Sequence, residues 1–147
     1  LIVILRALNI IGFTGSGATI YIEEPEAHLF PIAQKRIVQL LARTFNNKKS
    51  NFQIIVTTHS PYILSSFNNL LQAGRLSELK AGQVDEINRV VPIEEQISPS
   101  LLCAYSLNQG KKDVLIDDDS KLISQTILDS VSSEIANEFG NLLDIEF

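Results

Sequence analysis

Two short apolar runs punctuate the first half of the chain, with a helically spaced stretch between them. Residues 18–22 (ATIYI) follow a cluster of glycines and are apolar and β-branched, which predicts a buried strand. From Pro31 to Phe45, apolar positions recur at Ala33, Ile37, Leu40, Leu41 and Phe45, the spacing of one helix face. Pro31 suits the first turn of that helix, and Lys35, Arg36, Gln39 and Arg43 fall mostly on its water side. Residues 46–51 form a polar loop, and Phe52 to Thr57 (FQIIVT) make a second apolar strand. Strand, helix and strand in this order form a βαβ unit. Such a unit closes by a right-handed crossover into a parallel sheet, and its near-continuous apolar strands suit a sheet covered on both faces.

Past Gly74 the pattern changes. Residues 84–91 and 101–107 read as strands, with Cys103 a small buried hydrophobe in the second. Asn108-Gln109-Gly110 is a hairpin-type turn, and residues 113–116 supply the returning strand. From Ser120, the apolar positions Leu122, Ile123, Ile127, Leu128, Val131 and Ile135 predict a closing amphipathic helix, with Asp119 or Ser120 as N-cap. The opening run of residues 1–11 is interrupted by Arg6 and Asn9 and falls short of the ~20 apolar residues that span a bilayer. It reads as a buried helix.

The composition narrows the function classes. A chain of 147 residues that is 45% hydrophobic fits one compact domain with a real core. Twelve basic against 17 acidic side chains give a net charge of −5, and no basic block exceeds two residues, which disfavours nucleic-acid binding by this chain alone. A single cysteine excludes an internal disulfide framework and suits a reducing, cytoplasmic setting. The sequence holds no methionine, even at position 1, so it is expected to be a fragment of something longer.

Ligands of parallel α/β sheets gather at the C-terminal ends of the strands. The unusual residues of this chain lie there. Glu23-Glu24-Pro25-Glu26-Ala27-His28 follows the first strand, and Thr58-His59-Ser60-Pro61 follows the second. Alternation along a strand aims adjacent side chains in opposite directions, so Glu23 and Glu24 can divide two tasks, one holding a metal and the other activating water. Nucleotide hydrolysis needs that division. His59 stands at the same sheet edge, placed to hydrogen-bond a γ-phosphate. On spacing alone, the acids equally suit an exposed loop before a helix N-terminus, and the histidine a loop or cap role.

The two motifs together carry a family resemblance. Ile20-Tyr21-Ile22-Glu23-Glu24-Pro25-Glu26-Ala27-His28-Leu29-Phe30-Pro31 and Ile54-Ile55-Val56-Thr57-Thr58-His59-Ser60-Pro61 resemble the C-terminal half of an ABC-type AAA ATPase, in the pattern of the OLD (overcoming lysogenization defect) and SMC-like bacterial ATPases. The resemblance covers roughly residues 1–72. It implies an α/β fold: part of a P-loop NTPase parallel sheet with flanking helices over residues 1–75, followed by an α+β extension over residues 76–147 with an antiparallel hairpin and a helix. By the same resemblance, Glu23 ends the Walker B strand as the Mg²⁺-side acid, and Glu24 is the catalytic glutamate that polarises the attacking water. Residues 25–30 match the D-loop that crosses a dimer interface, and His59 is the switch histidine that reads the γ-phosphate. The implied activity is Mg²⁺-dependent ATP hydrolysis between two head-to-tail protomers, with DNA or an effector protein as further partner of the full-length protein and no membrane.

The chain also departs from that family's pattern. A Walker A loop of the form G-x-x-x-x-G-K-[ST], a Q-loop glutamine and a signature motif are missing. Gly12-Phe13-Thr14-Gly15-Ser16-Gly17-Ala18-Thr19 imitates the first, yet Ala18 stands at the lysine position and a strand follows, so it reads as a turn. The isolated chain is therefore expected to be inactive, needing an N-terminal half that carries Walker A. Glu24 and His28 have zinc-helix spacing, but Pro25 lies between them and a second histidine ligand is lacking. Asp117-Asp118-Asp119 is similar to the acidic pairs of TOPRIM nuclease domains without their upstream glutamate-glycine element, and reads as a turn plus helix cap. Two other functions remain open to the sequence: a non-catalytic regulatory or interaction module, and a metal nuclease built on those aspartates.

Overall fold

The computed structural model describes residues 18–46 and 52–124. The opening apolar run, the glycine cluster at 12–17, the polar loop beyond Asn46 and the body of the closing helix lie outside the described residues. Two compact units are present, one running to Cys103 and one starting at Ala104.

In the first unit, β1 (Ala18–Glu23) pairs in parallel with β2 (Phe52–Thr57), with Ile20 opposite Ile54 and Glu23 opposite Thr57. Helix α1 (Pro31–Phe45) joins them, which completes the βαβ unit the pattern predicts. Pairing in register sets the even-numbered residues of both strands on one face. There, Ile22 packs with Ile37 and Leu41 of α1, and Ile20, Ile54, Val56 and Phe67 close around them. Each such buried side chain contributes about 1.5–3 kcal/mol. The opposite face keeps Tyr21 and Ile55 exposed among the described residues, where the sequence led us to expect cover on both sides.

Helix α1 buries Gln34, Ile37, Val38, Leu41 and Ala42. Two of its water-side positions do structural work instead. Gln39 and Arg43 donate hydrogen bonds of 2.8 Å to the two carboxylate oxygens of Glu95, a side chain that is only 1% exposed. The Asn46 side chain, just past the end of α1, donates to the carbonyls of Glu94 and Gln96. Helix α2 (Pro61–Leu79) holds the other side of this segment. The Ile97 amide donates to the Leu70 carbonyl, and Ser77 donates to the Gln96 side chain. The approach is close because residue 74 is glycine: a Cβ there would stand 2.1 Å from the Ile97 carbonyl oxygen.

Residues 84–91 are not a strand. A short 3₁₀ turn (Ala81–Gln83) leads into α3 (Val84–Val90). Val84, Ile87 and Val91 are the half-buried positions, at i, i+3 and i+7, a helical rather than alternating rhythm, and Asp85 and Glu86 favour the helix N-terminus. Residues 101–107 are likewise only partly extended. A 3₁₀ turn (Pro99–Leu101) precedes them, and the strand begins at Tyr105. Cys103 precedes that strand and is exposed, which corrects its reading as a buried hydrophobe.

The second unit is built on a hairpin of β3 (Tyr105–Asn108) and β4 (Lys111–Val114), antiparallel, with Asn108 opposite Lys111. That register leaves Gln109 and Gly110 as a two-residue turn. Both have positive φ, 48° and 77°, the conformation that matches the twist of a tight hairpin. The returning strand thus starts two residues earlier than the pattern of 113–116 suggests. Beyond it, the chain turns at residues 118–120 and Ile116 bridges back to Ile123, so the helix does not begin at Ser120. The Asp117 carboxylate accepts from both the amide and the hydroxyl of Ser120 at 2.7 Å, closing a turn rather than capping a helix.

Two outcomes follow for stability. Replacing Gly74 with Ala adds a helix-favouring methyl worth about 1 kcal/mol, but drives it into a backbone carbonyl, where overpacking costs about 1–3 kcal/mol. Gly74→Ala is therefore expected to lower the urea midpoint; an unchanged or higher midpoint rejects the close approach. The Ser120 amide, and then its hydroxyl, hold the Asp117 carboxyl below its ordinary value. Because the folded value is the depressed one, the turn's contribution is present above the ordinary carboxylate range and fades as pH falls through it. Titration of Asp117 by NMR should give a midpoint below the ordinary aspartate value, and Ser120→Ala should recover only part of the difference, since the backbone donor remains.

Candidate functional site

The two strand ends are stitched together before any side chain is considered. The Glu24 amide donates to the Thr57 carbonyl at 2.9 Å, extending the parallel ladder one residue past the end of β1. The chain then turns sharply. Glu24 and His28 both take left-handed backbone conformations, with φ of 41° and 65°, and bracket a turn closed by Ala27 donating to the Glu24 carbonyl and Leu29 to that of Glu26. Non-glycine residues in this region cost of order 1–3 kcal/mol and persist only where surrounding contacts over-determine them.

The contacts that hold this turn come from the loop after β2. Glu26 is buried, and its Oε1 accepts from the Thr58 hydroxyl and, at 3.3 Å, from the His59 amide. The Thr58 hydroxyl oxygen in turn accepts from the Ser60 amide. Ser60 caps α2 by accepting from the Tyr62 amide, and its hydroxyl donates to Gln34 of α1 at 2.5 Å. Gln34 closes the circuit by donating to the Leu29 carbonyl at 2.8 Å. Acidic turn, histidine loop and the first turns of both helices are thus one hydrogen-bonded frame.

What the frame presents to solvent is the pair of Glu24 and His59. His59 Nε2 lies 3.6 Å from Glu24 Oε1, with the imidazole 92% exposed and the carboxylate half exposed. Both line a cleft of about 460 Å³ together with Glu26, His28, Gln34 and Ser60. At 3.6 Å the pair is beyond direct hydrogen bonding, so each head group keeps its capacity for a substrate. Among the described residues, the lining carries two carboxylates and neither lysine nor arginine.

The expectations fare unevenly. Glu24 and His59, assigned from opposite ends of the βαβ unit, meet at one edge. Glu23 ends β1 opposite Thr57 and is exposed, but does not line this cleft; alternation sends its side chain to the other face of the pair. Glu26, Thr58 and Ser60 stand inside the two motifs but were given no role of their own by the sequence, and Gln34 was not singled out. Their one sequence signal is a carboxylate and an amide close behind the first strand, matched to a Thr-His-Ser segment behind the second. Their burial comes only from the fold.

Glu23 is a hard, solvent-accessible oxygen donor at the sheet edge, the kind of outer-shell ligand a hydrated Mg²⁺ accepts, and among the described residues no group of three or more His, Cys, Asp or Glu side chains gathers that could hold a bare ion. Among the described helices, none is long and apolar enough to cross a membrane. No curated protein and no solved structure matches the chain. Residues 3–64, a span that contains β1, the acidic turn, α1, β2 and the His59 loop, match the family model for an AAA ATPase domain, and this match supports an AAA-type ATPase family for the part of the chain that carries the site.

Proposed function

We propose that this chain supplies the acid and histidine part of an ATP-hydrolysing site within a larger ABC-type AAA ATPase. The observation that carries the reading is the meeting of Glu24 and His59, 3.6 Å apart at the C-terminal edge of a parallel strand pair, inside the segment similar to AAA ATPase domains. The finer ABC-type, OLD-like assignment rests on the order of motifs: Walker B-like strand, Glu-Glu-Pro, D-loop-like turn, then a histidine behind the next strand.

In this reading Glu24 accepts a hydrogen bond from the attacking water and orients it, the role a positioned carboxylate serves in hydrolysis. His59, across the gap, donates from Nε2 to the γ-phosphate. Glu23 would hold Mg²⁺ through its water shell, and the ion, when bound, would supply charge neutralisation for the nucleotide's phosphates. A cleft that is acidic and without lysine or arginine among the described residues repels a free nucleotide. The Walker A lysine, absent from these 147 residues, and the metal must offset that repulsion, so ATP binding belongs to the assembled parent protein. Leu29 and Phe30, the latter 82% exposed, stand at the rim of the cleft where the D-loop assignment places the second protomer of a homodimer.

In the parent protein, Glu24→Gln is expected to lower ATP turnover at least about 100-fold while ATP-dependent dimerisation persists. Steady-state phosphate release and light scattering measure the two; turnover at the wild-type rate defeats the assignment.

A further inference from the structure

We infer that Glu26 is a positioning residue that sets the His59 imidazole relative to Glu24. The inference rests on the ATPase reading above and adds a residue to it. The His59 side chain is almost wholly exposed, so packing does not orient it; what fixes it is its own backbone. That backbone is held at the amide by Glu26 Oε1, and one residue earlier by the Thr58 hydroxyl on the same oxygen. Glu24, two residues before Glu26, is tied at its amide to Thr57. One carboxylate therefore links the two backbones that carry the pair.

The second carboxylate oxygen argues against a merely structural role. Glu26 Oε2 is buried and has no hydrogen-bond partner among the described residues. An unpaired buried oxygen disfavours the folded state, and a purely structural post would be filled as well by an apolar residue or by a group bonded at both ends. The geometry retains a group whose one satisfied oxygen is spent entirely on the histidine loop. Because Oε1 is the working atom, glutamine can replace glutamate here, whereas alanine cannot.

The test is a mutant cycle in the parent ATPase. Glu26→Ala is expected to lower kcat about 10- to 100-fold with the KM for ATP nearly unchanged, the scale of a misplaced catalytic group. Glu26→Gln should recover most of the loss, and in a His59→Ala background Glu26→Ala should add nothing further. Hydrogen exchange at the His59 amide should accelerate in Glu26→Ala and in Thr58→Val, which removes a bond to the same carboxylate from the other side and serves where the alanine variant does not fold. Losses that multiply with His59→Ala, a glutamine variant as inactive as alanine, or unchanged exchange overturn the proposal. If His59→Ala and Glu24→Gln both leave turnover intact, the ATPase reading itself fails, independently of Glu26.

Discussion

The register of one parallel strand pair governs everything at this site. With Glu23 opposite Thr57, the ladder takes one more bond, from the Glu24 amide to the Thr57 carbonyl, and the two chains leave the sheet side by side. A slip of one residue would send the inward face of isoleucines and valine to water and exchange the directions of Glu23 and Glu24. The apolar contacts of Ile22, Ile37 and Leu41 therefore do more than stabilise the unit, since they select the register in which Glu24 and His59 meet.

Polar contacts then convert that coarse placement into a fixed geometry. The circuit from Glu26 through Thr58, Ser60 and Gln34 to Leu29 links the turn after β1 to the starts of both helices. This network, which leaves one oxygen of Glu26 without a partner among the described residues, also holds two left-handed residues, Glu24 and His28. The pair above it stays exposed while the frame beneath it is held by hydrogen bonds. A comparable device works at the far end of the helices, where Arg43 and Gln39 enclose Glu95 and the segment around Ile97 presses against Gly74. It braces α1 against α2 well away from the cleft.

The acidity of the cleft bears on how such a site is used. Among the described residues the cleft is lined by carboxylates without lysine or arginine, a combination that attracts a cation and repels phosphate.

The strand-helix-strand unit was legible in the sequence because its signals are local: two β-branched runs, a helical repeat between them, and Pro31 and Pro61 at the starts of helices. Glu24 and His59 were legible too, as polar residues placed directly behind apolar strands. The hairpin was visible through Gln109-Gly110, though not its register. Residues 84–91 misled because val-, ile- and acid-rich segments of that length fit either period until the rest of the fold decides which residues are buried. Glu26 and Glu95 were beyond sequence reasoning altogether: nothing local separates a buried carboxylate from an exposed one. Their partners lie more than 30 and 50 residues away in the chain, so only the tertiary structure, by bringing Thr58, His59 and Arg43 to them, made burial of these charges tolerable and gave them a role.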